Sequence, residues 1–289
     1  MTRPFVKEIA GKSEGKTLVV TGGMDGDEYA GMEAAYRLIV EFKHRTFAGR
    51  MIVIPIVNLP GFAAECSWNP EDHRFPKHIY PGDPKGSSTE QLIHWLTTNH
   101  LHRADAWHDM HGGAITEGLH PFVWLHETGV PDVDRLAHRA MDSLPAERFV
   151  CERVSASSKA GQLARRGCAY VLAESGQRGE RKEEDIERHL TWVRWTMGQL
   201  GMIDAPAARA NKPTVAWDIA YERAPMDGCW RPILPMPERV SRGQVIGLCV
   251  RMDGGGEREV HASRDGMALW WKETMRIRKG EMLLAIGVR

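Results

Sequence analysis

Apolar and polar positions alternate with two different periods along the first two-thirds of the chain. Short apolar runs read as strands at residues 17–21, 51–56, 104–110, 121–125, 149–154 and 169–174. Between them lie runs with helical spacing. In 31–43, Ala35, Leu38, Ile39 and Phe42 fall on one face. Residues 88–101 open with Ser88-Thr-Glu-Gln91, a capping-box pattern. Residues 182–200 carry Ile186, Leu190, Val193, Met197 and Leu200 at alternating steps of four and three, with Gly201 as a stop. Strands alternating with helices predict an α/β fold, a twisted sheet flanked by helices.

After residue 205 the pattern changes. "APAARANKP" reads as a linker. From Thr214 onward, short alternating runs are cut by glycine turns such as "MDGC", "SRGQ" and "MDGGGE". That spacing predicts a small all-β domain of about 75 residues. The expected division is 1–205 and 206–289.

Composition removes several alternatives. The chain has 289 residues, 38 basic and 38 acidic, so its formal net charge is zero. Nothing in that balance suits a nucleic-acid binder. The start of the chain lacks the apolar core of about 7–15 residues of a signal peptide, and no run approaches about 18 apolar residues. The expectation is a cytoplasmic protein without a membrane span. Five scattered cysteines, never in a Cys-x-x-Cys pair, argue against a disulfide framework or a thiolate metal site.

Ligand sites of open α/β sheets gather at the carboxyl ends of strands. Three such ends carry reactive side chains: Asp25 and Glu28 in "TGGMDGDEYAG", His108, Asp109 and His111 in "WHDMHGG", and Glu174 in "GCAYVLAESG". A catalytic metal site needs about three nitrogen or oxygen ligands, an open position and a nearby carboxylate base. Asp25, Glu28 and His111 can supply the ligands and Glu174 the base. Each element also has an ordinary structural explanation: an acidic helix cap, a packed histidine, a strand-end glutamate. Spacing alone leaves both readings open. His108, pointing opposite Asp109 in a strand, reads as packed, and Asp109 as a group that orients something near the metal.

The same residues resemble the succinylglutamate desuccinylase/aspartoacylase family of zinc carboxypeptidase-like hydrolases. That family carries Gly-x-His-Gly-Asp-Glu, Asp-Leu-His-Thr-Gly and a glutamate near Glu-x-Gly. Here the matching stretches read "GGMDGDEYAG", "HDMHGG" and "VLAESG", with "VIPIVNLPGF", "NPED" and "YPGDPKGS" between them. The resemblance spans nearly the whole chain in motif order. It implies a mixed twisted sheet with a C-terminal β-domain, and metal-dependent hydrolysis of an acyl amide on a small amino-acid-like molecule. It further implies Glu28 and His111 as metal ligands, Glu174 as the base, and assembly of copies through the β-domain.

The departures are specific. The family's first histidine ligand falls on Asp25. Its carbonyl-polarising arginine falls on Ser67, and its Asn-Arg substrate pair on Lys77-His78. Two histidines and one carboxylate would leave a divalent ion with one net positive charge, whereas Asp25, Glu28 and His111 leave none. That weakens Lewis acidity and widens the metal choice, with zinc still first, towards manganese or iron. A replacement cation is therefore expected. His78 is the first choice because it stands at the arginine position. His73, Arg74, Lys77, Arg165 and Arg166 are the others. Ser67, Trp68, His73, Arg74, Lys77 and His78 are the expected substrate contacts. Trp68, Trp107 and Trp124 admit an aromatic substrate or mere packing. Without the arginines, a less acidic substrate is expected. Hydrolysis of an ester or cyclic amide, and a non-catalytic small-molecule binder, stand as alternatives.

Overall fold

The computed structural model describes residues 3–204 and 212–289. The strands in chain order are β1 Lys7–Ala10, β2 Ser13–Gly22, β3 Ala48–Ile54, β4 Ala106–His111, β5 Glu117–Leu119, β6 Phe122–Glu127, β7 Arg148–Arg153, β8 Ala169–Glu174 and β9 Thr214–Ala216. The C-terminal part adds β10 Asp218–Arg223, β11 Gly228–Pro232, β12 Arg239–Val240, β13 Val245–Val250, β14 Glu257–His261, β15 Gly266–Lys272, β16 Arg276–Ile277 and β17 Met282–Val288. The helices are α1 Tyr29–Phe42, α2 Leu59–Ala63, α3 Ser88–Asn99, α4 Pro131–Ser143, α5 Lys159–Ala164 and α6 Glu183–Gln199.

Eight strands form one mixed sheet in the order β1-β3-β2-β4-β8-β6-β7-β9. Its centre, β3-β2-β4-β8, is parallel. The C-terminal half of β2, Leu18–Gly22, and all of β4 are buried; the run Leu18-Val-Val supplies apolar surface to both faces, whereas β4 carries His108, Asp109 and His111 into the interior. On one face α1 and α6 pack through Ala34, Leu38, Phe42, Leu190, Val193 and Met197. On the other, α3 and α5 cover Val19, Ile52, Trp107 and Tyr170. All six expected strands and all three expected helices are present. One detail differs: the capping box of α3 is Ser87 with Glu90, one residue earlier than the sequence pattern suggested, because Ser87 is the residue that leaves the helical backbone. Helices α4 and α5 were not expected, since α5 is short and α4 is dominated by charged residues.

The eight C-terminal strands form one four-stranded sheet and, with β5, one five-stranded sheet, closed over Trp230, Leu283, Leu284 and Ile286. The 205/206 boundary and residues 205–211 of the expected linker lie outside the described residues; its last two residues, Lys212 and Pro213, lead into β9 without regular structure. Strand β9 follows that boundary yet pairs with β7 of the large sheet, while β5 crosses to pair with β15. A further apolar cluster, with Phe122 and Val150 against Met267 and Leu269, joins the two parts. No described helix is long and apolar enough to cross a membrane.

Candidate metal centre

Strand β2 ends at Gly22, and the chain turns through Asp25 before Glu28 becomes the N-cap residue of α1. Gly26 makes that turn fit: a Cβ there would sit 2.1 Å from the backbone of Gly61 in α2. The tight packing buries both acids, leaving Asp25 1% and Glu28 5% exposed. In the next strand β4, His111 stands directly opposite Glu174 of β8. One ligand atom each from Asp25, Glu28 and His111 lie within 4.8 Å of one another.

The imidazole of His111 is held from both sides. Its Nδ1 is 2.9 Å from Glu28 Oε2 and its Nε2 is 3.3 Å from Asp109 Oδ2. Asp109 is fully buried and also accepts from Thr21 at 2.6 Å and from the Tyr170 hydroxyl at 3.0 Å. Thr21 in turn accepts from the Trp107 indole at 2.6 Å. This network fixes the His111 ring plane, as an outer carboxylate does for a ligating histidine. Burial would raise Asp109, but the His111 ring and these donors hold it below its usual value. Burial would lower His111, yet Asp109 and Glu28 raise it well above its usual value. Glu28 is raised well above its usual range by burial and by Asp25. The acids thus crowd one another, which a shared cation would relieve.

The residues fit a divalent ion on a further ground. Lys77 donates to Asp25 Oδ2, while the buried Oδ1 has no hydrogen-bond partner. An unpaired buried carboxylate oxygen is costly. Asp25 Oδ1, Glu28 and His111 Nδ1 together make an oxygen-rich donor set suited to zinc or a harder divalent metal.

Above these groups opens a cavity of about 680 Å³, lined by residues from both parts of the chain. Glu174 lines it, and burial raises its carboxyl to about 7. Lys77 and His78 also line it. The cation set on Asp25 is Lys77, not His78 as the sequence suggested. Lys77 lies 31% exposed with its ammonium raised, against burial, by Asp25 and Glu28. His78 is held below its usual value by burial and by Lys77, and packs 6.0 Å from the Phe75 ring.

The other expected substrate contacts are not brought to this cavity. Ser67 donates to Asp27 at 2.8 Å. Trp68 stands edge-on to Phe75, and Arg74 is paired with Glu90 at 2.8 Å. His73 sits on an exposed turn at φ 56. Arg165 and Arg166 are exposed, and Arg165 donates to the Ala156 carbonyl. All belong to loops whose path the pattern of apolar residues does not encode. His108 is buried and packed, its Nδ1 3.0 Å from the Thr196 hydroxyl. Several cavity residues went unnoticed in the sequence, among them Glu117, His126, Lys159, Tyr170, Tyr221 and Trp270. Tyr170 falls inside an expected strand, Trp270 inside an alternating run of the C-terminal part, and Lys159 opens α5 just after a run of serines, with no motif around it.

A model of the succinylglutamate desuccinylase/aspartoacylase catalytic domain matches residues 14–197. An N-alpha-acetyl-L-2,4-diaminobutyric acid deacetylase of Halomonas elongata is 25% identical, across 96% of this chain and 84% of its own. A succinylglutamate desuccinylase/aspartoacylase of Rhodobacter sphaeroides superposes with a TM-score of 0.84 at 23% identity, covering 97% of this chain and 88% of that one. The product-bound ectoine utilization protein EutE (DoeB) of Ruegeria pomeroyi gives 0.85 at 22%, covering 98% and 88%.

Proposed function

Because the chain belongs to the succinylglutamate desuccinylase/aspartoacylase family, we propose that it is a metal-dependent deacylase cleaving the amide C–N bond of a small N-acylated molecule. The observation that carries this reading is the convergence of Asp25, Glu28 and His111 within 4.8 Å, with Glu28 and His111 lining one cavity together with Glu174. The deacetylase named for Halomonas elongata supports the reaction class.

Asp25, Glu28 and His111 would hold the ion, which supplies Lewis acidity towards an acyl oxygen and a water molecule. Glu174 takes a proton from the attacking water as the new C–O bond forms. It then gives that proton to the amide nitrogen as the C–N bond breaks, releasing a carboxylate and an amine. A carboxyl brought to about 7 by burial is matched to both halves of that exchange. Asp109 keeps His111 in one orientation through Nε2.

Lys77 answers the charge question raised by Asp25. An aspartate paired with an ammonium is neutral overall, as an imidazole ligand is. Lys77 therefore restores the positive charge that the His-to-Asp difference removes, and it lines the cavity where an acyl oxygen would develop charge. Release of amine from a panel of N-acetyl amino acids tests the reading: turnover should vanish on chelation and return with zinc or manganese. Turnover indifferent to chelation would contradict it.

A further inference from the structure

The cavity has a second, chemically different region away from the acidic cluster. Rings succeed one another along it. Tyr170 is 5.4 Å from His126, and Trp124 stacks on His126 at 6.3 Å. Trp270 is 6.0 Å from Trp124, and Tyr221 is 6.0 Å from Trp270. These rings come from β8, β6, β15 and β10, so the wall exists only because the C-terminal strands close against the large sheet. Trp124 and Trp270 are only partly covered, leaving flat apolar surface facing the cavity.

Lys159 stands at the inner end. Its ammonium donates to the Tyr170 hydroxyl at 2.7 Å and to the Lys77 carbonyl at 3.3 Å. An ammonium has three donors, so one remains for a ligand. It lies 4.2 Å from the Tyr170 ring centroid, and no carboxylate is within ion-pair distance among the described residues. Burial and the neighbouring Lys77 charge lower it to about 8, against the pull of Asp109. At the outer end the Arg223 guanidinium lies 5.6 Å from the Tyr221 ring centroid. Cations thus stand at both ends of the wall, while the Trp124 indole N–H donates to Glu152 at 3.0 Å.

We propose that this cavity takes a monocarboxylate bearing a flat, uncharged ring, with the Lys159 ammonium as the carboxylate anchor and the Trp124–Trp270 face as the platform for the ring. The proposal deepens the deacylase reading and rests on it for the identity of the cleaved bond, but binding can be tested without turnover. It sets this chain apart from a relative named for a substrate with an amino side chain.

Calorimetric titration of the metal-loaded protein with three probes tests it. These are 3-phenylpropionate, 3-cyclohexylpropionate of equal carbon count, and 3-phenylpropionamide, which lacks the charge. The phenyl acid should bind about fivefold tighter than the cyclohexyl acid and about tenfold tighter than the amide. Lys159→Met should abolish the preference for acid over amide, and Lys159→Arg should keep most of it. Trp124→Leu should remove the preference for the planar ring while leaving that for the acid. Equal binding of the three probes, or an unchanged acid preference in a folded Lys159→Met protein, would overturn the proposal. Ring-selective binding in a protein that releases no amine would keep it and sink the deacylase reading instead. Hydrolysis of Nα-acetyl-L-2,4-diaminobutyrate in preference to N-acetyl-L-phenylalanine would do the reverse.

Discussion

The floor and the wall of the cavity are built by opposite rules. The floor gathers Asp25, Glu28, His111 and Glu174 at adjacent strand ends in the parallel centre of one mixed sheet, where in-register pairing alone brings His111 opposite Glu174. The wall takes Trp124, Trp270 and Tyr221 from strands that meet only when two sheets close on each other. The floor is charged, buried and cross-linked by hydrogen bonds. The wall is apolar and held by packing. Reactivity here is a local property of strand ends, and selectivity a property of long-range closure.

If that division is right, damage to the floor should abolish turnover and damage to the wall should redirect it. Glu174→Gln should reduce kcat by about 10² to 10⁴ while metal content stays as in wild type, measured by steady-state kinetics beside elemental analysis. A variant with near-wild-type kcat would remove Glu174 from its role. Lys77→Met takes away the cation paired with Asp25. It should lower kcat by roughly 10 to 100-fold and tighten divalent-ion binding, because a neighbouring like charge is gone. Unchanged rate and ion affinity would mean that the pair does not compensate the aspartate. On the wall, Trp124→Leu should raise KM for an aromatic substrate about tenfold, with kcat altered far less. A kcat effect larger than the KM effect would mean that the two regions are not separable.

The smallest effect on activity is expected behind the floor, at His108. Burial lowers this imidazole to about 3, whereas an exposed histidine titrates near 6.5. Its contribution to stability is therefore intact above pH 6.5. As pH falls towards 3 it is progressively lost, because the unfolded chain takes up a proton that the folded one refuses. Between pH 6.5 and 5 the loss amounts to about 2 kcal/mol. His108→Gln should make urea-denaturation midpoints less sensitive to pH over that range while leaving KM within about twofold. An equally steep pH dependence would place the acid sensitivity elsewhere.

The floor was legible in the sequence for the same reason that it is local. Asp25 and Glu28 lie three residues apart where an apolar run ends, and such runs are what periodicity detects. Lys77 could be named as a candidate but not ranked above His78, because only the path of the single helical turn Pro76–His78 decides which of the two side chains reaches Asp25. Ser67 and Arg74 were drawn away by Asp27 and Glu90, partners separated from them in sequence by loops or by helix entry. Trp270 gave no signal at all: it sits in an alternating strand where a tryptophan is as suited to the module's own core as to a cavity. Lys159 becomes informative only once Tyr170 and Lys77 are known to flank it.

The central claim is that Asp25, Glu28 and His111 hold a divalent cation together. Elemental analysis of protein purified without chelator tests it directly, with Asp25→Ala and His111→Ala prepared in parallel. The account predicts about one divalent ion per wild-type chain and loss of most of it in either folded variant. Wild-type protein that takes up no zinc, manganese or iron on dialysis, or an Asp25→Ala variant that retains its ion, would contradict it.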